Sequence, residues 1–119
     1  MYYIDGFVVP VPRKKLPAYR RMAIEAVKVW REYGALEYHE CEADDVKQAN
    51  HTSSPMGIEL RPGETVILSW IVYRSRAQRD RANAKAAKDP RLAFMMNPKA
   101  RLFDGNRMFW GGFKEMVDL

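Results

Sequence analysis

The segment from Thr65 to Tyr73 is apolar almost without a break, with Ser69 the only interruption. This is the pattern of a central strand buried on both sides. Tyr2 to Val11 has the same property: Tyr3, Phe7 and Val9 alternate to one face, Ile4 and Val8 to the other. Only two long helical segments accompany these strands, and two helices cover one face of a four-stranded sheet. The second face, left bare, would expose an apolar patch on the order of several hundred Å², more than a monomer usually tolerates. A second copy of the chain is the expected cover, so a homodimer is expected.

The remaining elements follow from periodicity and punctuation. Pro10-Val11-Pro12 is expected to stop the first strand, because proline cannot donate to a ladder. Lys14 to Tyr33 reads as a helix. Leu16, Tyr19, Ala23, Ala26, Val27 and Trp30 form its apolar stripe, Pro17 lies in its first turn and Gly34 is its stop. Ala35 to Ala43 reads as the second strand. Leu36, Tyr38 and Glu40 point one way and Glu37, His39 and Cys41 the other, and alternation alone does not say which set meets the helices.

Asp44 to Gly63 is polar and long for a loop, with room for a short strand around Ile58-Glu59-Leu60 or for a mobile flap. Ser75 is placed to cap a helix running to about Lys88, and Asp89-Pro90 opens a short helical piece closed by Asn97-Pro98. Arg107 to Val117 reads as the last strand, where Gly111-Gly112 implies a bulge or a close backbone approach. With right-handed crossovers, two β-α-β units give a single α+β domain over residues 1–119. It is a ferredoxin-like βαββαβ four-stranded antiparallel sheet, with strands one and three central and both helices on one face.

Composition narrows the function classes. A net charge of +5 arises from 20 basic and 15 acidic residues, which is basic but mixed, and no nucleic-acid motif accompanies it. Nucleic acid and membrane are therefore not expected partners. The basic groups Arg13-Lys14-Lys15, Arg20-Arg21 and Arg74, Arg76, Arg79, Arg81 read as solvated helix surface. Cys41 is the one cysteine, so no intramolecular disulfide forms. The first residues lack the basic region and apolar run of a signal peptide, and a cytoplasmic location is expected. There is no Gly-rich phosphate loop, serine-hydrolase elbow or paired-cysteine motif.

Two residues are candidates for chemistry. Asp5 interrupts an otherwise apolar central strand; it is either a structural carboxylate bonded to a Tyr, Trp or Arg, or a base whose pKa is raised by burial. His39 on strand two is the second candidate acid or base; the strand's two faces cannot both line a pocket, so either His39 or the Tyr38/Glu40 pair is in play, and Glu40 does not suit a helix-covered face. His39 and Cys41 have a spacing that admits two metal ligands, but too few further donors accompany them, so no metal is expected. Tyr3, Phe7, Trp70 and Trp110 are candidates for lining a ligand pocket, set against the plainer reading as core or interface. No cofactor is expected; neither histidine sits in a haem signature.

The chain also resembles a known family. The pieces that carry the likeness are Tyr3 to Pro12, Tyr19 to Ala23, Val29 to Tyr38, Ser69 to Arg76, Lys88 to Arg91, Phe103 to Met108 and Gly111 to Lys114. Together they resemble domain of unknown function 1428, within the dimeric α/β-barrel superfamily. The resemblance implies the dimeric barrel fold and carries no established activity with it. The wider superfamily includes cofactor-free mono-oxygenases, haem-degrading enzymes, isomerases and small-ligand sensors, so fold is a weak guide to chemistry. The leading expectation is a homodimeric small-molecule-binding or accessory protein. The alternatives are a cofactor-free mono-oxygenase or isomerase-like enzyme using Asp5 or His39, and an interaction dimer without a ligand.

Overall fold

A computed structural model describes residues 1–46, 60–96 and 102–118. Strand β1 spans Tyr3–Pro12, helix α1 Leu16–Glu32, strand β2 Glu37–Glu42 and strand β3 Glu64–Tyr73. Helix α2 follows at Arg76–Ala86, then 3-10 turns at Pro90–Met96 and Gly105–Arg107, and strand β4 at Phe109–Lys114. The four strands form one sheet in the order β2-β3-β1-β4, every neighbouring pair antiparallel. The two strands with bulky residues on both faces are thus the central ones, as their composition requires. The proposed short strand around Ile58 falls at the edge of residues 47–59 and lies outside the described residues.

Register assigns the faces. Tyr3, Asp5, Phe7, Val9 and Val11 pair with Tyr73, Ile71, Ser69, Ile67 and Thr65. This odd-numbered set turns toward the helices, where Val9, Val11 and Ile67 pack with Tyr19 and Ala23 of α1. Ile71 and Tyr73 pack with Ala82 of α2 and Ala35. Tyr19, Ala23, Ala26 and Val29 form the buried stripe of α1 at three- and four-residue spacing. Ala26 meets Ala86 of α2 in the same cluster, so small side chains let the helices approach. Ser75 caps α2 by accepting a hydrogen bond from the Gln78 N–H. Gly34 ends α1 at φ 105°, a conformation that favours glycine.

β1 runs through Pro10 and Pro12 instead of stopping before them. The reason is the direction of the missing donors. The Arg13 N–H bonds to Gly63 O on the β3 side, so by alternation residues 10 and 12 direct their backbone groups the other way. There β4 pairs only with Tyr3–Val8, and the prolines withhold donors from an edge that has no acceptor strand among the described residues.

The even-numbered residues of β1 and β3 make the opposite face, which is buried at Pro10, Val66 and Val72 and open over its middle. Ile4, Val8, Leu68, Trp70, Phe109 and Phe113 lie there, with Leu68, Phe109 and Phe113 50%, 55% and 62% exposed. Gly111 pairs with Gly6 in a regular ladder, so the glycine pair makes no bulge. Both glycines serve close approach instead. The Phe113 ring lies over the Gly6–Gly111 pair, 3.5 Å from where a Cβ on either would stand. Tyr3 crosses Gly112 on the helix face so closely that a Cβ there would collide with the phenol.

Candidate functional site

Asp5 is 1% exposed and faces the helices. Arg79 of α2 donates to its Oδ1 through Nη1 at 3.2 Å, and Asn83, one turn further on, donates to Oδ2 at 3.4 Å. Arg79 also donates to the Tyr3 hydroxyl at 3.1 Å and lies 4.8 Å above the Tyr3 ring centroid. The Asn83 Oδ1 accepts from Trp30 Nε1 at 3.2 Å and from the Tyr73 hydroxyl at 3.4 Å. Burial pushes the Asp5 carboxyl above the ordinary aspartate range, and Arg79 and Asn83 pull it back only in part. Asp5 is therefore the carboxylate of a buried, cross-linked polar cluster.

His39 is on the other side of the sheet. It pairs directly with Trp70 across β2 and β3, its ring 4.8 Å from the Trp70 ring, and it lies 3.3 Å from Glu37. Cys41 is exposed and pairs with Leu68 on the same face. The sheet thus separates Asp5 from His39, and the two do not share a site. It likewise divides the four aromatic pocket candidates. Trp70 is on the open face. Tyr3, Phe7 and Trp110 are on the helix face, with Phe7 and Trp110 in tilted contact at 6.3 Å.

A different set of residues forms a groove. Between the flank of α1 and strand β2 lies a cavity of about 860 Å³ lined by Leu16, Tyr19, Ala23, Ile24, Val27, Glu40 and Ile67, with Arg20, Arg21 and Glu42 among its charged residues. Glu40 faces the helices because it pairs with Ser69 of β3, two residues from the Tyr38–Ile71 pair. The Tyr19 hydroxyl donates to its Oε2 at 3.0 Å and the Tyr38 hydroxyl to its Oε1 at 3.1 Å. Burial raises the Glu40 carboxyl above the ordinary glutamate range, against hydrogen bonds from Tyr19, Tyr38 and Ser69 that lower it. Burial beside this carboxylate also pushes both phenols far above the usual tyrosine range. The arrangement is a carboxyl group clasped by hydroxyls at an apolar groove, suited to gripping a polar head or exchanging a proton with it.

Sequence reasoning reaches Glu40 only with Tyr38 as an alternative to His39, and does not find the groove. Glu40 looked unsuited to a helix-covered face, and Ile24 fell outside the apolar stripe assigned to α1. The available signal was the second row Leu16, Arg20, Ile24, Val27 on α1, which flanks the buried one at helical spacing.

The sheet order and the helices packed on one face define the ferredoxin-like α+β class. A crystal structure of a dimeric ferredoxin-like protein from an uncultured marine organism has this fold, with a TM-score of 0.56 over 100% of this chain and 98% of that one. At 14% identity the likeness is one of fold alone. The chain belongs to the family described as "Protein of unknown function (DUF1428)", whose model matches residues 2–105. The proteins named "Uncharacterized protein YbaA" of Escherichia coli K12 and of Shigella flexneri are each 43% identical to it over 118 residues, covering 99% of both chains. Among the described residues no helix is long and apolar enough to cross a membrane.

Proposed function

We propose that the protein is a homodimeric small-molecule-binding protein of the cytoplasm, its ligand held in the groove between α1 and β2. The observation that carries the binding reading is the groove itself: about 860 Å³, walled by Leu16, Ile24, Val27 and Ile67, with Glu40 as its anchored polar group. A concave, mostly apolar space with few polar groups is the usual form of a ligand site. Asp5 has both carboxylate oxygens engaged by α2, and His39 lies across the sheet; both facts favour binding over catalysis by that pair.

The dimer is built on the open face. Leu68, Phe109 and Phe113, half exposed or more, surround the partly covered Ile4, Val8 and Trp70 on a central sheet. A contiguous patch of this kind is an interface, and a second copy presents the same self-complementary surface. The dimeric state of the similarly folded marine protein supports the same occupant. Light scattering at micromolar concentration is expected to give twice the chain mass, and Leu68→Glu with Phe113→Glu to give a folded monomer. A wild-type monomer overturns the dimer. A thermal-shift screen of amines, alcohols, phenols and short carboxylates is expected to find binders that Ile24→Trp, which fills the groove, abolishes. Absence of any binder overturns the binding reading.

A further inference from the structure

Three carboxylates of the described residues that are withdrawn from water have an arginine. Asp5 has Arg79 at 3.2 Å, Glu64 has Arg107 at 2.8 Å and Asp89 has Arg91 at 2.7 Å. Glu40 is part-buried as well. Among the described residues it forms no ion pair, although Arg20 and Arg21 line the same groove. Its neighbours are hydroxyls: Tyr19, Tyr38 and Ser69. Hydroxyls orient a carboxylate but bring it no charge, and carboxylates withdrawn from water are normally paired with a cation.

We propose that a ligand supplies this cation: the groove takes a small organic ammonium ion with an apolar tail, the ammonium N–H groups donating to Glu40 and the tail lying between Leu16, Ile24 and Val27. This rests on the binding reading above and names its ligand class. Three features favour an ammonium. Each phenol that donates to Glu40 keeps an oxygen lone pair, so an ammonium with several N–H groups finds acceptors beside the carboxylate. Burial keeps both phenols protonated, so the negative charge of the groove sits on Glu40 and Glu42 of β2 and not on the phenols. Leu16, Ala23, Ile24, Val27 and Ile67 give the groove an aliphatic stretch of wall, which suits an alkyl or aryl tail. A metal ion is disfavoured, because no group of three or more His, Cys, Asp or Glu side chains placed to hold one occurs among the described residues.

The test is calorimetric titration of the full chain with hexylamine, hexanol and hexanoate near neutral pH. Hexylamine is expected to bind about tenfold or more tighter than hexanol, the scale of a charge-assisted hydrogen bond. Hexanoate is expected to bind weakest. Glu40→Gln should remove that advantage, bringing hexylamine affinity down to that of hexanol. A Tyr19→Phe variant, which keeps the carboxylate, should retain the preference. Amine binding should also weaken as pH falls and Glu40 takes up a proton. If hexanol or hexanoate binds as well as the amine and Ile24→Trp abolishes that binding, the ligand class is overturned while the groove stands as a site. If no probe binds, or Ile24→Trp leaves binding intact, the ammonium proposal and the groove reading fall together.

Discussion

Asp5 and Glu40 are carboxylates on the same face of the same sheet, and the chain treats them in opposite ways. Asp5 stands on a central strand, 1% exposed, and α2 brings it a guanidinium and an amide. Glu40 stands on the edge strand β2, beside a groove, and receives hydroxyls alone. The first arrangement is complete within the chain, and every strong partner of Asp5 comes from an element packed directly above it. The second leaves a charge uncompensated where a molecule from outside can reach it. Chemistry at the sequence level draws attention to Asp5, whereas Glu40 is the carboxylate that borders the groove.

The largest expected effect tests whether Asp5 is self-sufficient. Arg79→Met leaves a carboxylate buried without its cation, and Asp5→Leu leaves Arg79 with only the exposed Asp80 as an ion-pair partner. Each is expected to cost about 3–5 kcal/mol, the usual penalty for breaking a buried pair from one side. The double variant is expected to cost clearly less than the sum, which urea denaturation of the four proteins measures as a coupling energy. Additive losses would show that Asp5 and Arg79 are not a unit, and the contrast with Glu40 would disappear.

How far the site could be read in advance depends on sequence distance. The two-sided apolar strands and the β-α-β order led directly to the sheet, because hydrophobic period is a local property. Asp5 was visible as the polar exception on β1. Its partner was not, because Arg79 is 74 residues away and sits among exposed neighbours such as Arg74, Arg76 and Arg81. One arginine in that helix is 8% exposed, and nothing local distinguishes it. Glu40 was hidden for a related reason. A glutamate on a helix-covered face looks wrong until Tyr19 is placed over it, and that placement depends on the packing of α1 against β2. Pro10 and Pro12 misled in the other direction: local chemistry predicted a strand end, and the absence of β4 on that side removed the penalty.

A middle-sized effect tests the hydroxyl clasp. Tyr19→Phe and Tyr38→Phe keep the rings and delete one donor each from Glu40. Each is expected to cost on the order of 1 kcal/mol, the net value of a hydrogen bond. Each should also raise the Glu40 pKa further, since both hydroxyls favour the ionised form. Carbon-13 NMR of the labelled carboxyl group reads that directly. An unchanged titration in both variants would mean that the phenols fill space beside Glu40 without holding it.

The smallest effect has the opposite sign from the first. Glu40 has a folded-state pKa above its unfolded value because burial outweighs its hydrogen bonds. Below the unfolded value, about 4.3, the group is protonated in both states and pH-independent. As pH rises through the unfolded and then the folded value, the unfolded chain loses its proton first and the folded state becomes relatively less stable. Glu40→Gln removes that penalty while offering an oxygen and an amide to the same two phenols. The ligand-free variant is therefore expected to melt a few degrees above wild type at pH 8 and level with it near pH 4, as followed by calorimetry across that range. Asp5→Asn, which leaves Arg79 with only the exposed Asp80 at 2.9 Å as an ion-pair partner, should instead melt lower at pH 8. If Glu40→Gln also melts lower at pH 8, the carboxylate has a cation within the chain after all, and the difference between the two sites is one of degree.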